Sequence, residues 1–290
     1  MGCRCVARSS RSRAAEDVEP LDAVPTTDVG EEVGVDVDAR QDRAHGSQAT
    51  TREGCGHAVH RQLDGARRET TRDGRGSVGN DDGTMARFFT ADLHLGHRNI
   101  ARYEPGRAQA AGVDPLAGPA DDVTQARLDT FLIDRWNQVV GPEDEVWLLG
   151  DIVMGQLDRT ITQLGRLLGR VVLVPGNHDR VWAGDRRRDE WWERYLAAGI
   201  DRIVDGTAVL ELADGTAVDV DHFPYRGDSG TMDRYVDWRP EDRGRVLLHG
   251  HVHSTWRTNG RMINVGVDVW DYAPIGEAQV VDLVSAVSEG

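Results

Sequence analysis

The sequence predicts a mixed α/β (α+β) domain in which two β-sheets pack face to face and helices flank them. Strand-like apolar runs alternate with helix-patterned segments over residues 86–198, as in a layered α/β architecture. Residues 209–220 alternate in polarity around an Asp-Gly turn, which indicates an antiparallel hairpin. Every Phe, Trp, Tyr and Ile of the chain lies after Met85, so the predicted fold begins there.

The first 84 residues contain no Phe, Trp, Tyr or Ile. Such a segment cannot offset the entropy of ordering it, which predicts a disordered or spurious extension over residues 1–84. Residues 85–290, roughly 200 residues, are enough for one domain with a sizeable core. The three cysteines lie in the extension, so the domain needs no disulfide, as in a reducing compartment. A zinc site of these cysteines with nearby histidines is disfavoured, because their spacing matches no common one.

The charge of the chain bears on its partners. The formal net charge is −15, and all 34 basic residues are Arg. An acidic chain binds long duplex nucleic acid poorly without a local basic patch. We therefore favour a small molecule or a nucleotide as substrate, with nucleic acid as the alternative. No apolar run reaches the ~18 residues of a membrane span, which predicts a cytoplasmic protein without membrane contact. The oligomeric state stays open.

The first half of the domain reads as alternating strands and helices. A strand is predicted at residues 86–90, and the polar segment 102–119 is predicted to be an excursion near the site and not core. Asp121 and Asp122 predict the start of a helix that Gly141-Pro142 ends. The apolar positions of this helix share one face: Leu128, Phe131, Leu132, Trp136 and Val139.

The remaining elements follow in order. A strand ends at Asp151, residues 157–168 predict an amphipathic helix, and residues 171–173 predict a buried strand. A third helix is predicted at residues 189–198, with Trp192 and Tyr195 on its buried side. After the hairpin, further strands are predicted at residues 246–249, 262–265 and 279–283.

Polar side chains that bind metals follow five of these strands. They are Asp92 and His94; Asp151; Asn177, His178 and Asp179; His222; and His251 and His253. Each alone has an ordinary structural explanation, such as a turn, a cap or a hydrogen-bonded histidine. As a set they combine carboxylate, amide and imidazole groups without thiolate, which suits Mn, Fe, Zn or Ni. The set predicts a centre for two divalent ions.

The order and spacing of these residues resemble the five motifs of the calcineurin-like metallophosphoesterase superfamily. The matching stretches are Asp92-x-His94, Gly150-Asp151, Gly176-Asn177-His178-Asp179, His222 and Gly250-His251-x-His253. Residues 89–100 and 264–270 also resemble a bacterial and phage-type subgroup of uncertain substrate. The chain departs from the pattern at two places. The residues around His222 read Asp-His-Phe-Pro, and the insert after Tyr103 is longer than usual. The resemblance implies a four-layer core and a metal-dependent phosphoric ester hydrolase.

The resemblance also implies a role for each residue. The first ion would be held by Asp92, His94 and His253. The second would be held by Asn177, His222 and His251. Asp151 would bridge the two ions, and a hydroxide between them would attack phosphorus. His178 would not bind metal but would protonate the leaving oxygen or stabilise its charge.

Four further residues are expected near the centre. Asp179 is predicted to orient His178 or to cap a turn. His97, Asn99 and Asp268 either orient the metal ligands through hydrogen bonds or simply hydrogen-bond within their loops.

Two other functions fit these residues less well. A non-catalytic metal-binding scaffold that recruits partners is the main alternative, but such relatives usually lose the residue at His178 or some ligands, and this chain keeps all of them. Another hydrolase class with a mixed dinuclear site, such as an amidohydrolase, fits the motifs less well. Most tryptophans are predicted to be core, although one or two could stack on a base: Trp191, Trp192, Trp238, Trp256 and Trp270.

Overall fold

The computed structural model describes residues 85–288 of the chain. The predictions for residues 1–84, including the disfavoured zinc site, therefore lie outside the described residues. Among the helices of residues 85–288, none is long and apolar enough to cross a lipid bilayer.

The first sheet carries the parallel strands that the alternating pattern predicts. Its order is β10-β1-β2-β3-β4. The strands are β1 (Arg87–Thr90), β2 (Glu145–Leu148), β3 (Arg170–Leu173), β4 (Arg202–Ile203) and β10 (Ile275–Gly276). Strands β1 to β4 are parallel and β10 is antiparallel to β1, so the carboxyl ends of four adjacent strands lie at the same edge of the sheet.

The second sheet has the order β5-β6-β7-β9-β8. Its strands are β5 (Ala208–Glu211), β6 (Ala217–Val220), β7 (Leu247–His249), β8 (Thr258–Asn259) and β9 (Met262–Asn264). The predicted hairpin is β5 with β6, and it is antiparallel as expected. Strands β6, β7 and β9 are parallel to one another, so their carboxyl ends also share one edge.

Helices complete the layers. They are α1 (Ile100–Tyr103), α2 (Pro105–Ala110), α3 (Asp122–Asn137), α4 (Leu157–Thr160), α5 (Arg188–Ala198) and α6 (Glu277–Ser288). Asp121 caps α3 by accepting a hydrogen bond from Thr124 N at 2.7 Å. Buried residues of α3 and α5 pack on one face of the first sheet, and a second apolar layer fills the space between the sheets. The predicted fold of two sheets with flanking helices is confirmed.

The predicted strand at residues 279–283 is wrong, because this stretch belongs to helix α6. Val280 and Val284, one helical turn apart, are buried in the apolar layer between the sheets. The run of valines favours a strand by intrinsic preference, but burial of one helical face decides the conformation here.

Three local predictions also need correction. Residues 157–168 do not form one α-helix, because a 3₁₀ helix (Ile161–Arg166) follows α4. On α5 Trp192 packs only partly buried against the core, and the deeply buried tryptophan is Trp191, at 3% exposure. The segment 102–119 is not outside the core: Arg107 on α2 is only 1% exposed. None of these can be read from local periodicity, since each depends on what packs against the element.

Candidate metal centre

The predicted ligands stand at the carboxyl ends of strands in both sheets. The loops after β1, β2 and β3 carry Asp92 and His94, Asp151, and Asn177 and His178. His222 follows β6 and His251 follows β7, its parallel neighbour. Asp92 joins the two sets, because its carboxylate accepts the backbone N–H of His251 at 3.0 Å. The structure therefore brings all seven predicted ligands to one place between the sheet edges.

Asp92, His94 and His253 form the first group. One ligand atom from each lies within 4.8 Å of the others. The rings of His94 and His253 stack with centroids 4.8 Å apart, and their Nε2 atoms are 3.2 Å apart. At this distance the two nitrogens either share one hydrogen or direct both lone pairs at one cation, so the pair can supply two ligands to a single ion.

Asn177, His222 and His251 form the second group. The Asn177 Oδ1 atom lies 3.2 Å from His222 Nε2 and 3.1 Å from His251 Nδ1. The second ring nitrogen of His222 is 2.8 Å from the carbonyl oxygen of Leu149, which turns Nε2 toward the centre. Three potential donor atoms thus converge from three different loops.

Asp151 lies between the two groups. Its Oδ2 atom is 3.5 Å from His94 Nε2 and 3.6 Å from His222 Nε2. Its other oxygen accepts the backbone N–H of His178 at 2.9 Å. The carboxylate therefore contacts one histidine of each group and also fixes the loop that carries His178.

The backbone of the centre is unusual. Among residues 85–288, eight non-glycine residues have φ in the left-handed region. Five of them are predicted ligands: Asp92, His94, Asp151, His251 and His253. Such a conformation costs roughly 1–3 kcal/mol per residue and persists where the surroundings enforce it, typically at functional sites. A conformation adopted by five of seven candidate ligands is hard to attribute to chance turns.

Two motif glycines allow the ligands to approach closely. A Cβ atom on Gly176 would collide with the Asp151 carboxylate and the His222 ring. A Cβ atom on Gly250 would lie 2.6 Å from Ala91 Cβ and 2.7 Å from Asp92 Oδ2. Both positions exclude any larger residue without displacing a predicted ligand.

Each histidine of the Gly-His-x-His motif has a carboxylate behind its outer ring nitrogen. Asp268 Oδ2 lies 3.5 Å from His253 Nδ1, and Asp228 Oδ1 lies 3.5 Å from His251 Nε2. An arginine holds each carboxylate: Arg107 binds Asp268 at 2.6 Å, and Arg234 binds Asp228 at 2.7 Å. These pairs place negative charge where it orients the imidazoles toward the centre.

Among the described residues, Arg107 is the arginine that donates the most hydrogen bonds to residues of the centre. It is 1% exposed and donates to both oxygens of Asp268, to the Leu93 carbonyl and to the Asp92 carbonyl. Sequence reasoning missed Arg107, Asp228 and Arg234. Arg107 lies in a segment that composition marks as surface, and the other two lie in a loop without a distinctive spacing.

The other predicted residues lie around the ligands. His178 is exposed, with its ring 5.3 Å from that of His94. Asp179 is fully buried. Its carboxylate accepts hydrogen bonds from the backbone N–H groups of Asp151, Ile152 and Gly176, and so connects the loop after β2 with the loop after β3. His97 is partly buried beside His94, whereas Asn99 is exposed.

Burial sets the proton affinities of the centre. It raises the pKa of Asp92 to about 6 and that of Asp179 to about 7, where the charge of Asp151 adds to it. Burial and the nearby His222 lower the pKa of His251 to about 3. At His253 burial acts in the same direction, but the Asp268 and Asp92 carboxylates outweigh it and raise the pKa to about 9. Buried carboxylates and imidazoles therefore lie side by side with pKa values shifted in both directions. Divalent cations bound there would neutralise the carboxylates and accept the imidazole lone pairs.

The donor set fits divalent metal ions. Two carboxylates, one amide and four imidazoles converge without a thiolate, a mixture that suits borderline cations of the first transition series. The His94 and His253 Nε2 atoms, 3.2 Å apart, are close enough for both lone pairs to face one cation. The arrangement can hold cations, bind an anion beside them and present an exposed imidazole at the rim.

The chain is similar to one protein family and to two phage proteins. The model of the calcineurin-like phosphoesterase family matches residues 87–264. The Gene 66 protein of Mycobacterium phage D29 is 36% identical over 214 residues, which cover 70% of this chain and 98% of that protein. The Gene 66 protein of Mycobacterium phage L5 is 32% identical over 213 residues, covering 70% and 95%.

One solved structure has a similar fold. It is a protein of unknown function from Aquifex aeolicus, with a TM-score of 0.50 and 24% identity, covering 69% of this chain and 100% of that protein. At this identity the likeness concerns the fold alone.

Proposed function

The chain belongs to the calcineurin-like phosphoesterase family and is a metal-dependent phosphoesterase, and we propose that it hydrolyses a phosphomonoester or phosphodiester at a centre for two divalent ions. The observation that carries the proposal is the position of Asp151, whose carboxylate lies within 3.6 Å of a histidine in each ligand group. A single carboxylate between two sets of donors is the arrangement expected of a bridging ligand.

The position of each residue indicates which ion it would bind. Asp92, His94 and His253 would hold one ion, and Asn177, His222 and His251 the other. Asp151 would contact both ions. Two divalent ions so placed lower the pKa of a bound water and stabilise the charge on the phosphate oxygens. We propose Mn, Fe, Zn or Ni as the ions, because the donors combine imidazole and carboxylate.

His178 would act on the leaving group. Its exposed ring stands at the rim of the centre, and the bond from its backbone N–H to Asp151 fixes the loop that carries it. A protonated imidazole there donates a proton to the oxygen of the departing group, an effect worth about two to four powers of ten. Asp179 contributes indirectly, since it holds the loop of Asp151 against that of His178.

The proposal is tested by metal content and turnover together. Protein purified without chelator is expected to contain up to two transition-metal ions per chain by elemental analysis. It is expected to hydrolyse at least one member of a panel of phosphomonoesters, phosphodiesters and nucleotides when supplied with Mn, and chelation is expected to remove that activity. Binding of a single ion at saturation would contradict the dinuclear centre, and no turnover with any metal would contradict the proposed activity.

A pair of variants separates metal binding from proton donation. His178→Ala is expected to keep the metal content of the wild type while kcat falls by about two to four powers of ten for an alkyl phosphate. The loss is expected to be smaller for nitrophenyl phosphate, because a good leaving group needs little protonation. Metal analysis and kinetics with both esters measure the difference.

His251→Ala is the matched comparison. This side chain lies 3.1 Å from Asn177 Oδ1 in the second group, so its loss is expected to lower metal content and activity together for both esters. Loss of metal from His178→Ala, or an equal loss of rate for both esters, would be inconsistent with His178 as the proton donor.

A further inference from the structure

An aromatic cluster extends outward from the second ligand group. We call Trp182, Phe223, Tyr235 and Trp238 the aromatic cluster. The Phe223 and Tyr235 rings contact the His251 ring, with centroids 5.0 and 5.6 Å away. The Trp182 ring contacts Tyr235 at 5.9 Å and Trp238 at 4.6 Å. The cluster is therefore a continuous row of rings that begins at a candidate metal ligand.

The loops that carry the cluster also carry the candidate centre. Trp182 follows Asn177 and His178 in one loop, and its backbone N–H donates to the Asp179 carbonyl at 3.1 Å. Phe223 directly follows His222. Tyr235 and Trp238 belong to the same long connection, in which Arg234 binds Asp228 behind His251. The rings are thus fixed relative to the centre by short stretches of chain.

Exposure increases along the row. Phe223 is 2% exposed, Trp182 and Tyr235 are partly exposed, and Trp238 is 45% exposed. Trp191 and Trp270, by contrast, are 3% and 8% exposed and serve as core. Trp238 therefore leaves nearly half of its surface in water at the outer end of a row of rings that begins at a candidate ligand, and exposed aromatic surface continuous with a polar site is typical of ligand binding.

The position of the exposed rings indicates the shape of the ligand. Phe223 and Tyr235 each contact both His251 and Trp182, so a ring stacked on Trp182 or Trp238 would lie beyond these two side chains as seen from a phosphate at the centre. An aryl phosphate carries its ring directly on the phosphate oxygen and would place it next to the centre instead. A nucleotide carries a planar base separated from phosphorus by a sugar, and bases stack on aromatic side chains irrespective of their identity.

Trp182 is held in place for such a contact. Its ring packs against the backbone of Gly184, where a Cβ atom would collide with the indole. Arg234 lies 5.7 Å from the Tyr235 ring centroid, so the row of rings also has a cation beside it. A rigid ring surface with a neighbouring positive charge complements a base joined to a phosphate.

We propose that Trp182 and Trp238 bind the base of a nucleotide ester, while its phosphate occupies the candidate metal centre. This inference rests on the proposed function and names nucleotide esters as the substrate class. It assigns Trp238, the more exposed of the two, as the residue that selects bases over aliphatic groups.

The test compares two diesters with one leaving group. Ethyl p-nitrophenyl phosphate and the p-nitrophenyl ester of thymidine 5′-phosphate both release nitrophenolate and differ only in the group that remains. The wild-type protein is expected to favour the thymidine ester in kcat/KM by about 5- to 150-fold, the range of one stacked base. Trp238→Ala is expected to bring the ratio of the two kcat/KM values close to one, and Trp238→Phe to restore part of it.

Trp192→Ala serves as the matched control, because Trp192 is a partly exposed tryptophan outside the cluster. It is expected to leave the ratio unchanged. Trp182→Ala provides a second variant of the cluster in case Trp238→Ala does not fold, and thermal unfolding checks each protein. Thymidine 5′-phosphate should also quench the tryptophan fluorescence of the wild type more than that of Trp238→Phe.

The two hypotheses fail in different ways. Equal kcat/KM for both diesters in the wild type, or an unchanged ratio in both tryptophan variants, would overturn the aromatic site while leaving the phosphoesterase intact. Absence of turnover of both diesters with every metal, while a phosphomonoester of the panel is hydrolysed, would overturn this inference alone. Absence of turnover of every ester of the panel would overturn the proposed function, and this inference with it.

Discussion

Asp151→Ala is expected to strip the centre of metal and to lower kcat/KM by at least about a thousandfold, since charge stabilisation at the phosphate depends on both ions. The carboxylate contacts His94 and His222, one from each ligand group, and also holds the His178 backbone N–H. Removing it is therefore expected to affect both ligand groups and the loop that carries His178. Elemental analysis and steady-state kinetics on the purified variant measure the two effects.

The control is a buried carboxylate elsewhere. Asp219 is 3% exposed and binds Tyr225 and Arg245 instead of a candidate ligand. Asp219→Asn is expected to keep its metal, even if it unfolds at a lower temperature. Asp151→Asn adds a graded variant, because it retains an acceptor for His178 N–H but loses the negative charge. Full occupancy by two ions in Asp151→Ala would show that Asp151 is not the bridge.

Arg107→Ala is expected to lower the free energy of unfolding of the metal-free protein by about 3–5 kcal/mol, the typical cost of removing one partner of a buried ion pair. The substitution leaves the Asp268 carboxylate buried without its cation and leaves the Asp92 and Leu93 carbonyls without a donor. For a domain of this size the melting temperature should fall by roughly 6–20 °C. Chemical and thermal denaturation in chelator measure the loss.

The same variant is expected to bind metal more weakly. Arg107 holds the backbone of Asp92 and the carboxylate behind His253, so two ligands of the first group lose their support. Loss of such supporting contacts typically weakens metal binding by about 10- to 100-fold. Titration of metal into the chelated protein gives the affinity without reference to activity.

Surface and double variants complete the comparison. Arg159 forms an ion pair with Asp122 in which both side chains are more than half exposed, so Arg159→Ala is expected to change the free energy of unfolding by at most about 1 kcal/mol. Combining Arg107→Met with Asp268→Asn removes both charges and should cost less than Arg107→Ala alone. A free energy of unfolding for Arg107→Ala equal to that of Arg159→Ala would refute the supporting role.

The sequence was informative where local chemistry dominates. The strand-like runs, the Asp-Gly hairpin and the capped helix at Asp121 each depend on a few neighbouring residues, and the structure contains all three. The candidate ligands could be selected because each follows a strand end, and parallel strands bring such ends together. The family follows from the same short motifs. The assignment of each ligand to one ion remains a prediction.

The limits appear where a residue depends on distant partners. Residues 279–283 read as a strand from their own pattern but lie on a helix, because Val280 and Val284 bury one helical face in the apolar layer between the sheets. Trp191 is buried more deeply than Trp192, although both pack against the core, and this difference depends on what surrounds the helix. Intrinsic preferences are small beside the free energy of burying a large side chain.

The chemical types at the centre can be read from the residues alone: carboxylate, amide and imidazole groups at five strand ends. The groups that support them are brought there by contacts between distant parts of the folded chain. Arg107 and Asp268 are 161 positions apart, yet they pair in a buried site beside His253. Asp228 takes the corresponding place beside His251 from a loop with no recognisable spacing. The left-handed backbone of five candidate ligands likewise follows from contacts made after folding, because no local preference of Asp or His enforces it at five separate positions.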